Sequence, residues 1–258
     1  MRIAVKVGTS TLAHPTGHVN LRRIERLCRV ISDFKNAGHE MILISSGAIG
    51  MGVGRLSLSG RPDDIPGKQA AAAVGQCELM YTYDKLFSEY NHTVAQILLT
   101  AYDVEHEERC QNFRNTMARL LEWNVLPIVN ENDTVSTKEL SIGDNDTLAS
   151  IVASTMQADL LVILSDIDGL YTKNPHLYSD AELIPEIFEL TDEIYALADT
   201  HKSSLGTGGM ATKLSAASLC MQKGTDMIIA NGAEPEMLYR ILDGKPFGTR
   251  FYSNKKEK

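Results

Sequence analysis

Leu160-Leu-Val-Ile-Leu164 is apolar at every position and runs directly into Ser165-Asp-Ile-Asp-Gly169. Five residues is the length of a strand, and a strand apolar on both faces belongs in a sheet covered by helices on both sides. Met41-Ile-Leu-Ile44, within Glu40–Ser45, reads the same way. Around these two runs lie further strand candidates at Ile3–Val7, Val94–Leu98, Val125–Val129 and Met227–Ala230. Helical patterns fall between them at about Leu21–Asn36, Lys68–Glu89, Asn112–Trp123, Asp146–Gln157, Met210–Gln222 and Pro235–Leu242. Strands alternating with helices imply crossover connections. The expected fold is therefore α/β, a three-layer α/β/α sandwich around a mostly parallel open sheet.

Ligands of such sheets bind beyond the C-terminal ends of the strands. Four strand candidates end in small, polar or acidic residues: Gly8-Thr-Ser10, Ser46-Gly47, Asn130-Glu-Asn-Asp133 and Ser165-Asp166. Any one of these reads equally well as a turn, since turns favour such residues, but four together suggest a shared rim. Gly54–Gly67 is long, polar and punctuated by Pro and Gly, and reads as a mobile loop near that rim.

The 258 residues can bury a substantial core. Hydrophobic content of 43% and charged content of 22% suit a soluble globular chain, and no apolar run approaches the ~20 residues that span a bilayer. A net charge of −8 argues against broad nucleic-acid binding, yet a local cationic pocket still suffices for an anionic substrate. Cys28, Cys77, Cys110 and Cys220 lie in helical contexts at no metal or redox spacing and read as buried free thiols. Met1-Arg-Ile-Ala-Val-Lys6 breaks into charge too early for a signal peptide, so a cytoplasmic, reducing location is expected.

Phosphate chemistry enters with Leu205-Gly-Thr-Gly-Gly-Met-Ala-Thr-Lys213. Glycines let backbone N–H groups approach an anion, a helix N-terminus adds positive dipole, and Lys213 adds full charge. Walker A is excluded because Ala211 and Thr212 precede the lysine, and the polar Asp199–Ser204 argues against a dinucleotide fingerprint. A plain surface turn opening a helix is the alternative. Lys6 sits in an apolar strand, where it is either on an exposed edge or aimed from the strand end at a phosphate. Together Lys6 and Lys213 could flank a transferring phosphoryl group. Gly143-Asp-Asn-Asp146 opens a helix, and capping accounts for one aspartate only. The other, Asp146, is expected to hold the lysines or to help bind Mg²⁺. Val129-Asn-Glu-Asn-Asp133 offers acceptors suited to an ammonium group, or is a solvated turn.

Taken together, VKVGTS around Lys6, SSGAIGMG around Ser46, GKQAAAAVGQ at Gly67–Gln76, VNEND, IGDNDTLAS, SDIDGLYTKNP at Ser165–Pro175 and LGTGGMATK resemble the amino acid kinase superfamily. Within it they are most similar to the glutamate 5-kinase family, over essentially Met1 to Tyr252. The resemblance implies transfer of the γ-phosphoryl of ATP to the side-chain carboxylate of L-glutamate, the first step toward proline. It implies Lys6 and Lys213 as transition-state stabilisers organised by Asp146, with Ser46, Asp133 and Asn145 binding glutamate. Lys6, Gly8, Ser165, Asp166 and the run Thr207, Gly208, Gly209, Met210, Ala211, Thr212 and Lys213 would line the nucleotide site, with Mg²⁺ carried mainly by the ATP phosphates. It further implies one kinase domain over residues 1–258, with about 1–150 serving mainly the acceptor and about 151–258 the nucleotide. Proline as feedback inhibitor and a homo-oligomer (dimer or tetramer) are implied too, with neither nucleic acid nor membrane as partner.

Many members carry a C-terminal PUA domain after the kinase domain, and the expectation here is a kinase domain alone. Asn174 stands where many members have an acidic residue before Pro175. Other acceptors within the superfamily (N-acetylglutamate, aspartate, carbamate, UMP) and a non-catalytic sensor are the competing readings. A free ammonium favours glutamate over most of these acceptors, and the retention of both lysines disfavours a sensor.

Overall fold

The computed structural model describes residues 1–12, 14, 18–136, 144–175, 177–199 and 209–254. In chain order, β1 (Arg2–Val7) leads through α1 (Thr9–Leu12) and α2 (Leu21–Asn36) to β2 (Glu40–Ser45). Next come α3 (Ala48–Arg55), α4 (Ile65–Ser88), β3 (Val94–Leu99), α5 (Ala101–Glu105), α6 (Glu107–Glu122) and β4 (Leu126–Glu131). After these come α7 (Asn145–Thr155), β5 (Leu160–Ser165), β6 (Glu186–Ile187), α8 (Asp192–Asp199), α9 (Met210–Lys223) and β7 (Asp226–Asn231). A 3-10 turn at Pro235–Leu238 then precedes α10 (Tyr239–Leu242) and β8 (Thr249–Phe251).

The strands form one sheet in the order β3-β4-β2-β1-β5-β7-β8-β6, parallel throughout except where β7 meets β8. Helices cover both faces, as the doubly apolar strands required. On one face α2, α3 and α4 bury Leu27, Phe34, Met51, Tyr83 and Phe87 against Ile3, Val5 and Val7 of β1. On the other, α6, α7 and α9 bury Met117, Leu148, Val152, Leu214 and Ala217 against Ala4, Ile42 and Leu161. The three-layer expectation holds. Because β1, β2, β4 and β5 are mutually parallel, the four polar strand ends do lie along one edge of the sheet.

Local chemistry sets the helix ends. Asp64 caps α4 by accepting from the Gly67 N–H at 2.7 Å, and Asn20 does the same for α2 from Arg23. α9 stops at Gly224, whose φ of +83° suits glycine best.

Three expectations need correction. Gly54–Gly67 is not one loop: α3 runs through Arg55 and α4 begins at Ile65, so only Leu56–Asp64 connects them. α3 escaped detection because glycines at 50, 52 and 54 depress helix propensity. Their use is close packing. A Cβ on Gly52 would fall 1.8 Å from the Ala71 carbonyl oxygen, and one on Gly75 of α4 would fall 1.7 Å from that of Ala48. Backbone-to-backbone approach, not intrinsic preference, stabilises this helix. Second, the thiols of Cys28, Cys110 and Cys220 are buried but that of Cys77 is exposed on α4. Third, β6 and β8 have two and three residues, too few to print a period in the sequence, and α5 and α8 went unread. Among the described residues no helix is long and apolar enough to cross a membrane.

Candidate active site

β1 lies in the middle of the sheet, with β2 on one side and β5 on the other, so Lys6 is not on an exposed edge. Strand alternation sends Ile3, Val5 and Val7 to one face and Ala4 and Lys6 to the other, the face that carries α7 and α9. Each of those helices contributes from its first turn: Asp146 is the second residue of α7 and Lys213 the fourth of α9. Lys6 Nζ stands 2.7 Å from Asp146 Oδ1, and Lys213 Nζ stands 3.0 Å from Asp146 Oδ2. The Lys213 contact is a directed hydrogen bond. The Lys6 contact is a close ion pair with the other carboxylate oxygen.

All three side chains are buried, with Asp146 only 1% exposed. Burial pushes the Asp146 carboxyl upward, but the charges of Lys6 and Lys213 outweigh it and hold the group below the ordinary aspartate value. The carboxylate is therefore ionised and sits between two ammonium groups. Asp144 takes over the capping, its Oδ1 accepting from the N–H groups of Asp146 at 2.7 Å and Thr147 at 3.0 Å. Asp144 thus caps the helix while Asp146 faces the two lysines.

Beside this triad the structure joins Ser46, at the end of β2, to Asn145, the first residue of α7. Asn145 Nδ2 donates to Ser46 Oγ at 2.7 Å and to Asn130 Oδ1 at 3.0 Å. Asn130 Nδ2 in turn donates to Gln76 Oε1 at 3.0 Å. Asn130 and Gln76 were legible only as members of their motifs. Two neutral amides meeting from β4 and α4 leave no pairwise spacing in the sequence.

Asp133 stands in the turn after β4, with no hydrogen bond to Ser46 or Asn145 among the described residues. Burial first, then the charge of Glu131, pushes its carboxyl up to about 6, against the opposing pull of Arg61. Arg61 belongs to the Leu56–Asp64 connection, whose charge is therefore felt at Asp133. Gln69 of α4 also donates to the Ser136 carbonyl at 3.2 Å, tying that helix to the same turn.

Of the residues expected at the nucleotide, Gly8 follows β1 and accepts from the N–H groups of Thr11 and Leu12 to form the α1 turn. Ser165 ends β5, and its hydroxyl donates to Asp166 at 3.1 Å. Gly209 occupies the cap position of α9 and, having no side chain, caps none of the first-turn N–H groups. Met210 is buried, Ala211 is exposed, and the Thr212 hydroxyl donates to the Gly209 carbonyl at 2.8 Å. Thr207 and Gly208 lie outside the described residues.

A buried pair of lysines at the ends of parallel strands, one of them in the first turn of α9, is chemistry for an anionic group. Residues 1–231 match the family model described as the amino acid kinase family. The chain belongs to the amino acid kinase family. A glutamate 5-kinase of Clostridium perfringens is 53% identical over 260 residues, covering 99% of this chain and 97% of that one. One of Listeria monocytogenes is 51% identical, with 99% and 94% covered. One of Caldanaerobacter subterraneus is 49% identical over 97% of this chain but 68% of its own length. Among solved structures, a carbamate kinase from Giardia lamblia bound to AMP-PNP superposes with a TM-score of 0.68 at 21% identity, covering 98% of each chain. An isopentenyl phosphate kinase does so with a TM-score of 0.68 at 18% identity, over 97% of this chain and all of the other. These likenesses between distant sequences establish the three-layer fold.

Proposed function

We propose that this chain catalyses ATP-dependent phosphorylation of the side-chain carboxylate of L-glutamate, giving L-glutamyl 5-phosphate and ADP, the step that commits glutamate to proline. The observation that carries the chemistry is the pair of buried lysines held on Asp146 at the strand ends. The identity of about half the residues to glutamate 5-kinases, across nearly the whole chain, carries the choice of acceptor.

The acceptor carboxylate, with an ordinary pKa of about 4.3, is already an anionic nucleophile at neutral pH, so no general base is required. Charge spreading over the transferring phosphoryl is what Lys6 and Lys213 stabilise, and Asp146 holds both in place at no cost of reorganisation during the reaction. Ser46 and Asn145 bind the amino acid, and ionised Asp133 takes its ammonium group. The N–H groups opening α9 receive ATP phosphates, while Gly8, Ser165 and Asp166 line the nucleotide, joined by Thr207 and Gly208. Among the described residues no three His, Cys, Asp or Glu side chains cluster to hold a metal ion. Mg²⁺ would arrive on the phosphates, where it would neutralise their charge, with few protein ligands. On this assignment residues up to about 150 serve the acceptor and the remainder the nucleotide. Inhibition by proline, homo-oligomeric assembly and a cytoplasmic location complete the proposal.

The test is ADP release with a panel of acids in the presence of hydroxylamine, which traps an acyl phosphate as a hydroxamate. Glutamate-dependent hydroxamate is expected, and added proline should suppress it. Turnover only with aspartate, N-acetylglutamate, carbamate or UMP would reassign the acceptor, and binding without turnover would make the chain a sensor.

A further inference from the structure

The Ser46–Asn145–Asn130–Gln76 chain of hydrogen bonds has a fixed polarity. Asn145 Nδ2 also lies 3.4 Å from the Ser45 carbonyl oxygen, a group that can only accept. That contact identifies this edge of the amide as the NH₂ side. Asn130 must then offer Oδ1 to Asn145, which turns its own NH₂ toward Gln76, and Gln76 must offer Oε1. The outward consequence falls on the site. Among the described residues Asn145 Oδ1 has no hydrogen-bond partner and is left as an acceptor, and Ser46, whose oxygen is already receiving a proton, is left to donate. One acceptor and one donor side by side match a zwitterion, with an ammonium N–H for the first and a carboxylate oxygen for the second.

Gln76 is an expensive residue for its position. It is 8% exposed, and among the described residues its buried Nε2 has no hydrogen-bond partner. An unsatisfied buried NH₂ costs stability, so a side chain kept only for packing would do better without it. Its placement is also tightly held. Gly75, the preceding residue, brings α4 into backbone contact with Ala48 of α3, just beyond the turn that carries Ser46. The relay thereby crosses the end of the sheet, from a helix on one face to a helix on the other.

We infer that Gln76 is a positioning residue for the amino-acid acceptor: its Oε1 locks the amide of Asn130, which locks Asn145 with its oxygen toward the substrate. The inference rests on the glutamate reading above and adds a residue that touches no substrate. Replacing Gln76 by Met keeps the volume and removes the acceptor, freeing Asn130 to turn over and leaving only the 3.4 Å contact with the Ser45 carbonyl to orient the Asn145 amide. The expected result is a KM for glutamate raised about tenfold, the equivalent of one hydrogen bond. The KM for ATP and kcat should stay within about twofold, and Tm within about 3 °C, because the unsatisfied NH₂ goes with the lost bond. Gln76→Glu, which still presents an oxygen to Asn130, should return the glutamate KM to near the parent value. Titration calorimetry with L-glutamate alone should show the same tenfold weakening in the Met variant. A Met variant with the parent KM and affinity for glutamate would overturn the relay. So would a parallel loss of ATP affinity, kcat and Tm, or failure of Gln76→Glu to restore binding. Absence of hydroxamate from the parent enzyme would instead overturn the glutamate reading itself.

Discussion

Asp146→Asn separates the structural from the catalytic share of the triad. The amide keeps the shape of the side chain and an oxygen for the Lys213 hydrogen bond. It removes the charge that balances two ammonium groups 2.7 and 3.0 Å away. Lys6 is 9% and Lys213 5% exposed, so water screens the loss little. Taking one partner from a buried ion pair typically costs about 3–5 kcal/mol, chiefly because the surviving charge stays buried. For a domain of this size each kcal/mol is worth roughly 2–4 °C, so Tm should fall by about 6–20 °C. The lysines, no longer held together, should lower kcat by on the order of 10²–10³. Thermal unfolding followed by circular dichroism reads the first effect, and ADP release under saturating substrates reads the second. The pH dependence follows from the depressed carboxyl. Its stabilising contribution is complete above the unfolded value of about 3.9 and disappears as pH falls through the lower folded value. The Tm gap between parent and variant should therefore be constant from about pH 5 to 8 and close only below about pH 4. A variant whose Tm lies within about 2 °C of the parent, with kcat within about threefold, would refute the triad as described.

Lys213→Ala leaves Asp146 paired with Lys6 and should cost kcat on the order of 10²–10³ while the fold survives; wild-type-like turnover would remove Lys213 from the chemistry. Because the Asp133 carboxyl is pushed up to about 6, kcat/KM for glutamate should fall as pH drops through about 6, well above the titration of glutamate itself. The same upward shift means that this carboxyl opposes folding above about pH 6 and ceases to as it protonates on the way down to about 3.9. Asp133→Asn should accordingly raise Tm at pH 8, with the gain shrinking toward pH 4, while abolishing tight glutamate binding; a lower Tm at pH 8 would contradict it. Gly75→Ala places a methyl group 1.7 Å from the Ala48 carbonyl oxygen, a backbone atom that cannot swing aside. It should lower Tm by several degrees and raise the glutamate KM as α4 moves away from the Ser46 turn, which denaturation and steady-state kinetics can check.

Much of the architecture was legible without coordinates because the layers write their own periods. Leu160–Leu164 and Met41–Ile44 are apolar on both faces only because helices cover both faces, and the helical patterns between them fixed the crossover order. What lacked a period went unread. α3, with glycines at 50, 52 and 54, is a helix because its backbone packs against Ala71 and Gly75, a fact of contact rather than composition. β6 and β8 are too short to carry an alternation, and only their pairing at the far edge of the sheet gives them shape.

For the site, local chemistry identified the types of residue required. A lysine in an apolar strand, a surplus aspartate beside a cap, and glycines before a lysine each carried a reason visible in the chain. Their meeting did not. Lys6, Asp146 and Lys213 come from one strand and two helix starts, and only the twofold alternation of β1, read together with the face that α7 and α9 cover, brings them within 3.0 Å. The amide relay was further from view, since Gln76, Asn130 and Asn145 are uncharged and belong to three separate elements. The sequence by itself determined which layers form and which side chains need a partner. The tertiary structure decided which partner each obtained, because hydrogen bonds and ion pairs act over a few ångströms that chain order does not encode.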